Sequence, residues 1–229
     1  MMILEEDKIL VPDSLAETLW RLEEVRRGFR SRVDTQVTAA LNWVLSRQGL
    51  KGAYRGLFAP TEKDLQGVKL LTGESISSAA LRHILGEEAL RAVIVWNFES
   101  SSALEKAKES FVYLLESGGD SSPKASGFFC CHKCTPAFLR TLAVVKPDGW
   151  EATLQKGIEN IRKKRTPDGR WHGFPFYYTL LALSDMDIPS AKVELQHAST
   201  RAKKLLNRYL KEDRISRFRK TGLEAAVAA

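Results

Sequence analysis

Cysteine is scarce in this chain. There are three among 229 residues, Cys130, Cys131 and Cys134, all inside one short stretch. An odd, clustered set cannot form the paired framework of a small secreted scaffold, so the thiols are expected reduced and the protein cytoplasmic. Long apolar runs are missing as well. Stretches such as Ala92-Val93-Ile94-Val95-Trp96 and Leu180-Leu181-Ala182-Leu183 fall far short of the roughly 20 residues that cross a bilayer, and no membrane span is expected. Met1 to Lys8 turns acidic after four residues. It has no basic region followed by an apolar one, so no signal peptide is expected. No stretch alternates apolar and polar residues between hairpin turns, which argues against a sheet protein. Gly49-x-x-Gly52-x-x-x-Gly56 lacks the strand before it and the Lys-Ser/Thr after it that a phosphate loop needs. No nucleophile–base pair and no paired-carboxylate motif can be recognised.

What is present is an ordinary globular composition, 44% hydrophobic and 28% charged, in a chain long enough to bury a sizeable core. The net charge of +7 is unevenly spread. Glu5, Glu6, Asp7, Asp13, Glu17, Glu23 and Glu24 make the first stretch acidic, while Arg201, Lys203, Lys204, Arg208, Lys211, Arg214, Arg217, Arg219 and Lys220 make the last one basic. A basic terminus can bind phosphates, which makes nucleic acid one partner to consider. The alternative is a solvated helix end whose cations suit the helix dipole.

The apolar period is helical throughout. Pro12-Asp13-Ser14 starts a helix with the stripe Leu15, Leu19, Leu22, Val25, which Gly28 ends. Val37, Ala40, Leu41, Val44 and Leu45 predict a second helix from Asp34-Thr35 to Gln48. Gly49 to Gly73 is a glycine-punctuated loop without a period, the kind of long loop that is functional or wraps the surface. Ser75 to Trp96 is helical, with Gly86 as a potential break. Ser100-Ser101-Ser102 caps the helix carrying Leu104, Ala107, Phe111, Leu114 and Leu115, and Asp120-Ser121-Ser122-Pro123 is a linker. Thr135-Pro136 opens another helix as cap and first turn. Asp148 with Glu151 resembles a capping box ahead of Trp150, Leu154, Ile158 and Ile161. Thr166-Pro167-Asp168-Gly169 is a turn, Phe176 to Leu183 a helix, and Pro189 to about Tyr209 the last helix. The fold class is therefore all-α, as stacked helical hairpins pairing 35–48 with 75–97, 101–117 with 135–146 and 150–164 with 174–184. Three segments follow: an N-terminal arm and helix (1–33), a hairpin-repeat domain (34–188), and a basic C-terminal helix and tail (189–229).

The chemistry-bearing residues gather between Ser126 and Leu183. Cys131-His132-Lys133-Cys134, with Cys130 beside it, is one Cys-x-x-Cys knuckle. Zinc takes four Cys or His ligands; beyond Cys131 and Cys134 the others would come from Cys130 or His132 locally or from His172 or His197. Cys130, Cys131, Cys134 and His172 are taken as the candidate metal set, with zinc the candidate cofactor. The same spacing at a helix start suits a redox dithiol. The third reading is three small thiols packed beneath Phe128 and Phe129. Trp171, His172, Phe174, Tyr177 and Tyr178 are candidate ligand-binding residues, because such aromatics can wall an apolar pocket for a small molecule or peptide. Aromatics at helical spacing also pack plain cores.

Arg165-Thr166-Pro167-Asp168-Gly169-Arg170-Trp171, between two helices, resembles the Asp-Gly-x-Trp turn of the terpenoid cyclase and protein prenyltransferase repeat. Ala40 to Gln48, followed by Gly52 and Tyr54, is similar to a weaker copy. The resemblance covers about residues 34–183. It implies an α/α-toroid built of radial hairpins around an apolar cavity, of which three hairpins are half, so a homodimer would complete a ring. The acidic Asp-x-Asp-Asp of the cyclases and the Asp-Asp-x-x-Asp of the synthases are absent, so the resemblance carries fold rather than activity. The expected function is a non-catalytic binding or interaction module with an aromatic-lined face. The alternatives are a zinc-dependent enzyme of prenyltransferase-like fold and a nucleic-acid binder acting through the basic C-terminus.

Overall fold

The computed structural model describes residues 8–76, 78–98, 101–208 and 213–229, except for the Ser78 side chain. The acidic residues Glu5, Glu6 and Asp7, the cap residue Ser100, and Tyr209, Lys211 and Glu212 lie outside the described residues. Among the described residues the protein is all-α: eleven α-helices and no strand, with isolated bridges joining Gln48 to Phe58, Lys69 to Ser75 and Arg165 to Trp171. No described helix is long and apolar enough to cross a membrane. The helices belong to two compact units, Met1–Val68 with Ser77–Val112, and Lys69–Ile76 with Tyr113–Ala229.

In the first unit α1 (Leu15–Arg26), α2 (Asp34–Ser46) and α4 (Ser78–Val95) pack on one another. Leu15, Leu19, Leu22, Val37, Leu41, Val44, Leu81, Ile84 and Val93 are all buried, following the apolar stripes of the sequence. Helix α4 runs through Gly86 without a break. The reason is local: a Cβ on Gly86 would sit 3.0 Å from the Leu57 Cβ, so this glycine admits the loop against the helix. The glycine-rich stretch runs largely along the surface but dips inward at its middle. Leu57, Phe58 and Ala59 are fully buried, and Arg47 holds the loop by donating to the carbonyls of Ala59 at 2.5 Å and Pro60 at 2.9 Å. A one-turn helix, α3 (Glu62–Leu65), follows, capped by Thr61 and Asp64 in a reciprocal box.

Asp64 also reaches back to the start of α1. It is completely buried, and its carboxylate accepts from Ser14 Oγ at 2.7 Å, Leu15 N at 2.9 Å and Ala16 N at 3.3 Å, besides Thr61 N at 2.8 Å. A negative charge on the free N–H groups of a helix start satisfies both the donors and the dipole. The same first unit carries an open groove of about 850 Å³, with Ile9, Val11 and Pro12 along it and Arg21, Gln36 and Lys63 at its sides.

Helix α5 (Ser102–Glu116) contains the boundary between the units. The expected linker at 120–123 is instead the lead into α6 (Pro123–Ser126), whose Ser122 cap accepts from Ala125 N. Helix α7 (Thr135–Val145) packs on α8 (Trp150–Arg162) and α9 (Phe176–Ser184), and α8 also packs on α6 and on α10 (Pro189–Leu206). The extensive pairing of α8 is thus with its predecessor α7 rather than with the segment after the 166–169 turn. Two caps differ from expectation. Gly149 in the left-handed region, not Asp148, precedes α8, and Cys134, not Thr135, precedes α7.

The C-terminal segment is a helix rather than a tail. Asp213 caps α11 (Arg214–Ala228) by accepting from Ser216 N at 3.0 Å. Phe218, Leu223 and Ala226 are fully buried, and α11 packs on α9 and α10. Gly222 permits the approach, since a Cβ there would lie 3.0 Å from the Leu180 Cβ and 3.1 Å from the Leu181 nitrogen.

Candidate functional site

The cysteine cluster sits where a tight loop enters α7. Two close contacts fix the loop's path. Gly127, at φ +70°, is so close to α8 that a Cβ would fall 2.3 Å from the Gly157 nitrogen, and Phe129 stacks on Phe138 with centroids 5.0 Å apart. Thr135, fully buried, then ties the loop to the helix: its hydroxyl oxygen accepts from Phe129 N at 3.1 Å and lies 2.9 Å from the Cys131 carbonyl. The thiol-bearing residues therefore stand on a rigid support.

The backbone turns sharply at Cys130, which adopts φ +56°. A non-glycine residue in this region costs of order 1 kcal/mol and persists only where the surroundings enforce it. The turn brings the sulfurs together. Cys131 Sγ and Cys134 Sγ are 3.4 Å apart, and the sulfurs of Cys130 and Cys134 lie within 4.8 Å of each other. Cys130 is exposed, Cys131 half-buried and Cys134 completely buried. Burial pushes the Cys131 thiol up. Hydrogen bonding from the Cys134 backbone and side chain, the Lys133 backbone and the Cys130 side chain outweighs that effect, and the thiol settles below its ordinary value.

The two nearby histidines do different things. His132 packs edge-on against Phe128 and Phe174, with centroids at 5.3 and 4.9 Å, and its Nδ1 would lie 3.1 Å from a Cβ on Gly173. Burial, Lys164 and His172 together depress its pKa, which favours the neutral imidazole. His172 is exposed and is not among the ligand atoms that come within 4.8 Å of both Cys130 and Cys134. Of the four residues chosen from the sequence as a metal set, the structure brings the three cysteines together.

The aromatic residues divide by depth. Trp171, Phe174 and Tyr178 are interior, at 2%, 7% and 0% exposure. Trp171 donates its indole N–H to Glu194 at 3.0 Å, which uses its only polar atom. Phe176 and Tyr177 are half-exposed beneath two guanidinium groups, Arg201 over Phe176 at 5.4 Å and Arg219 over Tyr177 at 4.4 Å.

Glu194 is the residue that organises this region. It is fully buried and accepts from Arg162 at 3.0 Å, from Arg165 at 2.9 Å to each oxygen, and from Trp171. The turn Asp168-Gly169-Arg170-Trp171 is thereby anchored on α10. Arg201 on the same helix reaches Asp168 at 3.0 Å, and Gly169 would place a Cβ 3.2 Å from the Arg201 Cβ. A Glu amid Val193, Leu195 and His197 has no local signal. Only the arginines and the indole converging from other helices identify it.

Comparison of the chain with family models, curated proteins and solved structures returns no match.

Proposed function

We propose that the protein is a non-catalytic binding module and that its Cys130–Cys134 loop holds a thiophilic divalent cation, zinc being the natural candidate. The observation that supports this reading is a backbone-strained loop at the start of α7 in which the Cys134 sulfur lies 3.4 Å from that of Cys131 and within 4.8 Å of that of Cys130. Soft thiolates select zinc over the hard cations, and three protein ligands leave the fourth tetrahedral position open to water or a further donor. The interior placement of Trp171, Phe174 and Tyr178 favours the cysteine loop over the aromatic face as the binding element. Elemental analysis of protein purified without chelators in reducing buffer tests the proposal. About one equivalent of zinc is expected, reduced to background by Cys131→Ser with Cys134→Ser. Wild-type protein without stoichiometric metal, after zinc supplementation, would overturn it.

A second reading is a zinc-dependent enzyme of prenyltransferase-like or terpenoid cyclase-like fold. One observation favours it: the Asp168–Trp171 turn lies between two helices, α8 and α9, where the resemblance places it. A homodimer completing a ring belongs to that reading, and light scattering on the eluting protein tests it. The nucleic-acid reading has less to draw on, since Arg201 and Arg219 are engaged with Asp168 and the Thr72 carbonyl inside the second unit.

A further inference from the structure

We propose that Cys131 and Cys134 form a reactive dithiol that exchanges with low-molecular-weight disulfides, with Cys131 as the attacking group and Cys134 as the resolving one. The proposal concerns the same loop as the cation site but does not depend on it, because exchange requires the thiols alone.

The geometry carries the assignment of roles. An attacking thiol must be reachable by a disulfide, and a resolving thiol must be close to it but shielded from the solvent. Cys131 is half-exposed and Cys134 is fully buried, 3.4 Å away. A disulfide bond is about 2.05 Å long, so closure needs an approach of roughly 1.4 Å, within reach of side-chain rotation. The i,i+3 turn is already closed by Cys134 N donating to the Cys131 carbonyl at 3.1 Å. The eleven residues of α7 begin immediately after Cys134, and the positive end of the helix dipole there favours a thiolate.

The step balances as follows. The Cys131 thiolate attacks one sulfur of a disulfide R–S–S–R. The S–S bond breaks, a mixed disulfide forms on Cys131, and one R–S⁻ leaves and takes up the proton lost from Cys131. Cys134 then loses its proton, attacks the Cys131 sulfur and displaces the second R–S⁻, which takes that proton. The dithiol is oxidised to one intramolecular disulfide, and the small disulfide is reduced to two thiols. Cys130 competes for Cys134, since their sulfurs are within 4.8 Å. The exposure order nevertheless leaves Cys130 outside the shielded pair.

The test uses the full chain, reduced and freed of metal by chelation, then incubated with oxidised glutathione. Samples are acid-quenched, alkylated and mapped by mass spectrometry. The expected product has lost two hydrogens and carries a bond between Cys131 and Cys134. Cys134→Ser is expected to trap a glutathione adduct on Cys131, Cys130→Ser to leave the bond intact, and Cys131→Ser to slow consumption of glutathione disulfide by about tenfold or more. Mapping of the wild-type product needs no variant to fold. A wild-type product bonded through Cys130, a bond only between chains, or thiols that react no faster than those of urea-unfolded protein would overturn the proposal. Failure of zinc uptake with this bond still formed would sink the cation reading alone.

Discussion

Glu194 and Asp64 show what a single buried carboxylate does in each unit. Glu194 neutralises two guanidinium groups from α8 and its following turn and satisfies the Trp171 indole. Replacement by alanine leaves the indole N–H buried without an acceptor, so Glu194→Ala is expected to cost about 2–4 kcal/mol in a urea melt. Glu194→Gln, which can still accept from the indole, should lose less. An equal loss for both would show that charge, not hydrogen bonding, is what matters there. Asp64→Ala removes the acceptor for three donors at the start of α1. A loss of about 2–3 kcal/mol is expected by the same measurement, and a change below about 0.5 kcal/mol would contradict the capping role. His83 gives a pH dependence. Burial lowers its pKa from an ordinary 6.5, so the unfolded chain takes up a proton before the folded one does. Stability is therefore full above about pH 6.5 and declines as pH falls below it, toward the depressed folded value. His83→Gln should flatten that part of the stability–pH curve. A variant with an unchanged slope would assign it to other groups.

At the scale of elements, close helix contacts depend on glycines that carry no chemistry. On α8 a Cβ at Gly157 would meet Leu139 at 2.4 Å and the Gly127 carbonyl oxygen at 3.0 Å. Gly157→Ala is accordingly expected to destabilise by about 1–3 kcal/mol through overpacking, despite alanine's better helix propensity. It should also loosen the cysteine loop, read as faster alkylation of Cys134. Stabilisation by the substitution would refute the contact. Helix positions themselves were largely legible, because Leu, Val and Ile recur at helical spacing in α1, α2, α7 and α8. α11 was not, because its buried face combines Phe218 and Leu223 with the small residues Gly222 and Ala226, and its arginines and lysine gave the stretch the look of a charged tail. The cap of α8 misled for a similar reason. Asp148 fits the capping-box spacing, yet Gly149 takes the left-handed turn that sets the helix start.

For the molecule as a whole, chain order and spatial unit do not coincide. Lys69–Ile76 belongs to the second unit, while the residues on both sides of it belong to the first. Two long-range bonds explain the exchange: Glu74 accepts from Tyr178 N at 3.0 Å, and Arg219 donates to the Thr72 carbonyl at 2.7 Å. Both partners lie more than a hundred residues away, so no local pattern announces them. If the cysteine loop binds zinc, the cation stabilises the folded chain by mass action. Free zinc at about a hundred times its dissociation constant should add about 2.7 kcal/mol, seen as a higher melting temperature that chelation reverses. An unchanged melting curve would count against the site. Periodicity and composition by themselves determined the helical class, most helix positions and the thiols as the chemical focus, because those depend on neighbours within a few residues. The tertiary structure alone decided that the Cys131 and Cys134 sulfurs meet, that the Trp171 indole faces Glu194, and which residues form each unit. Those outcomes depend on side chains distant in sequence becoming neighbours in a packed interior, where shape and hydrogen-bond satisfaction choose among faces that the period leaves equivalent.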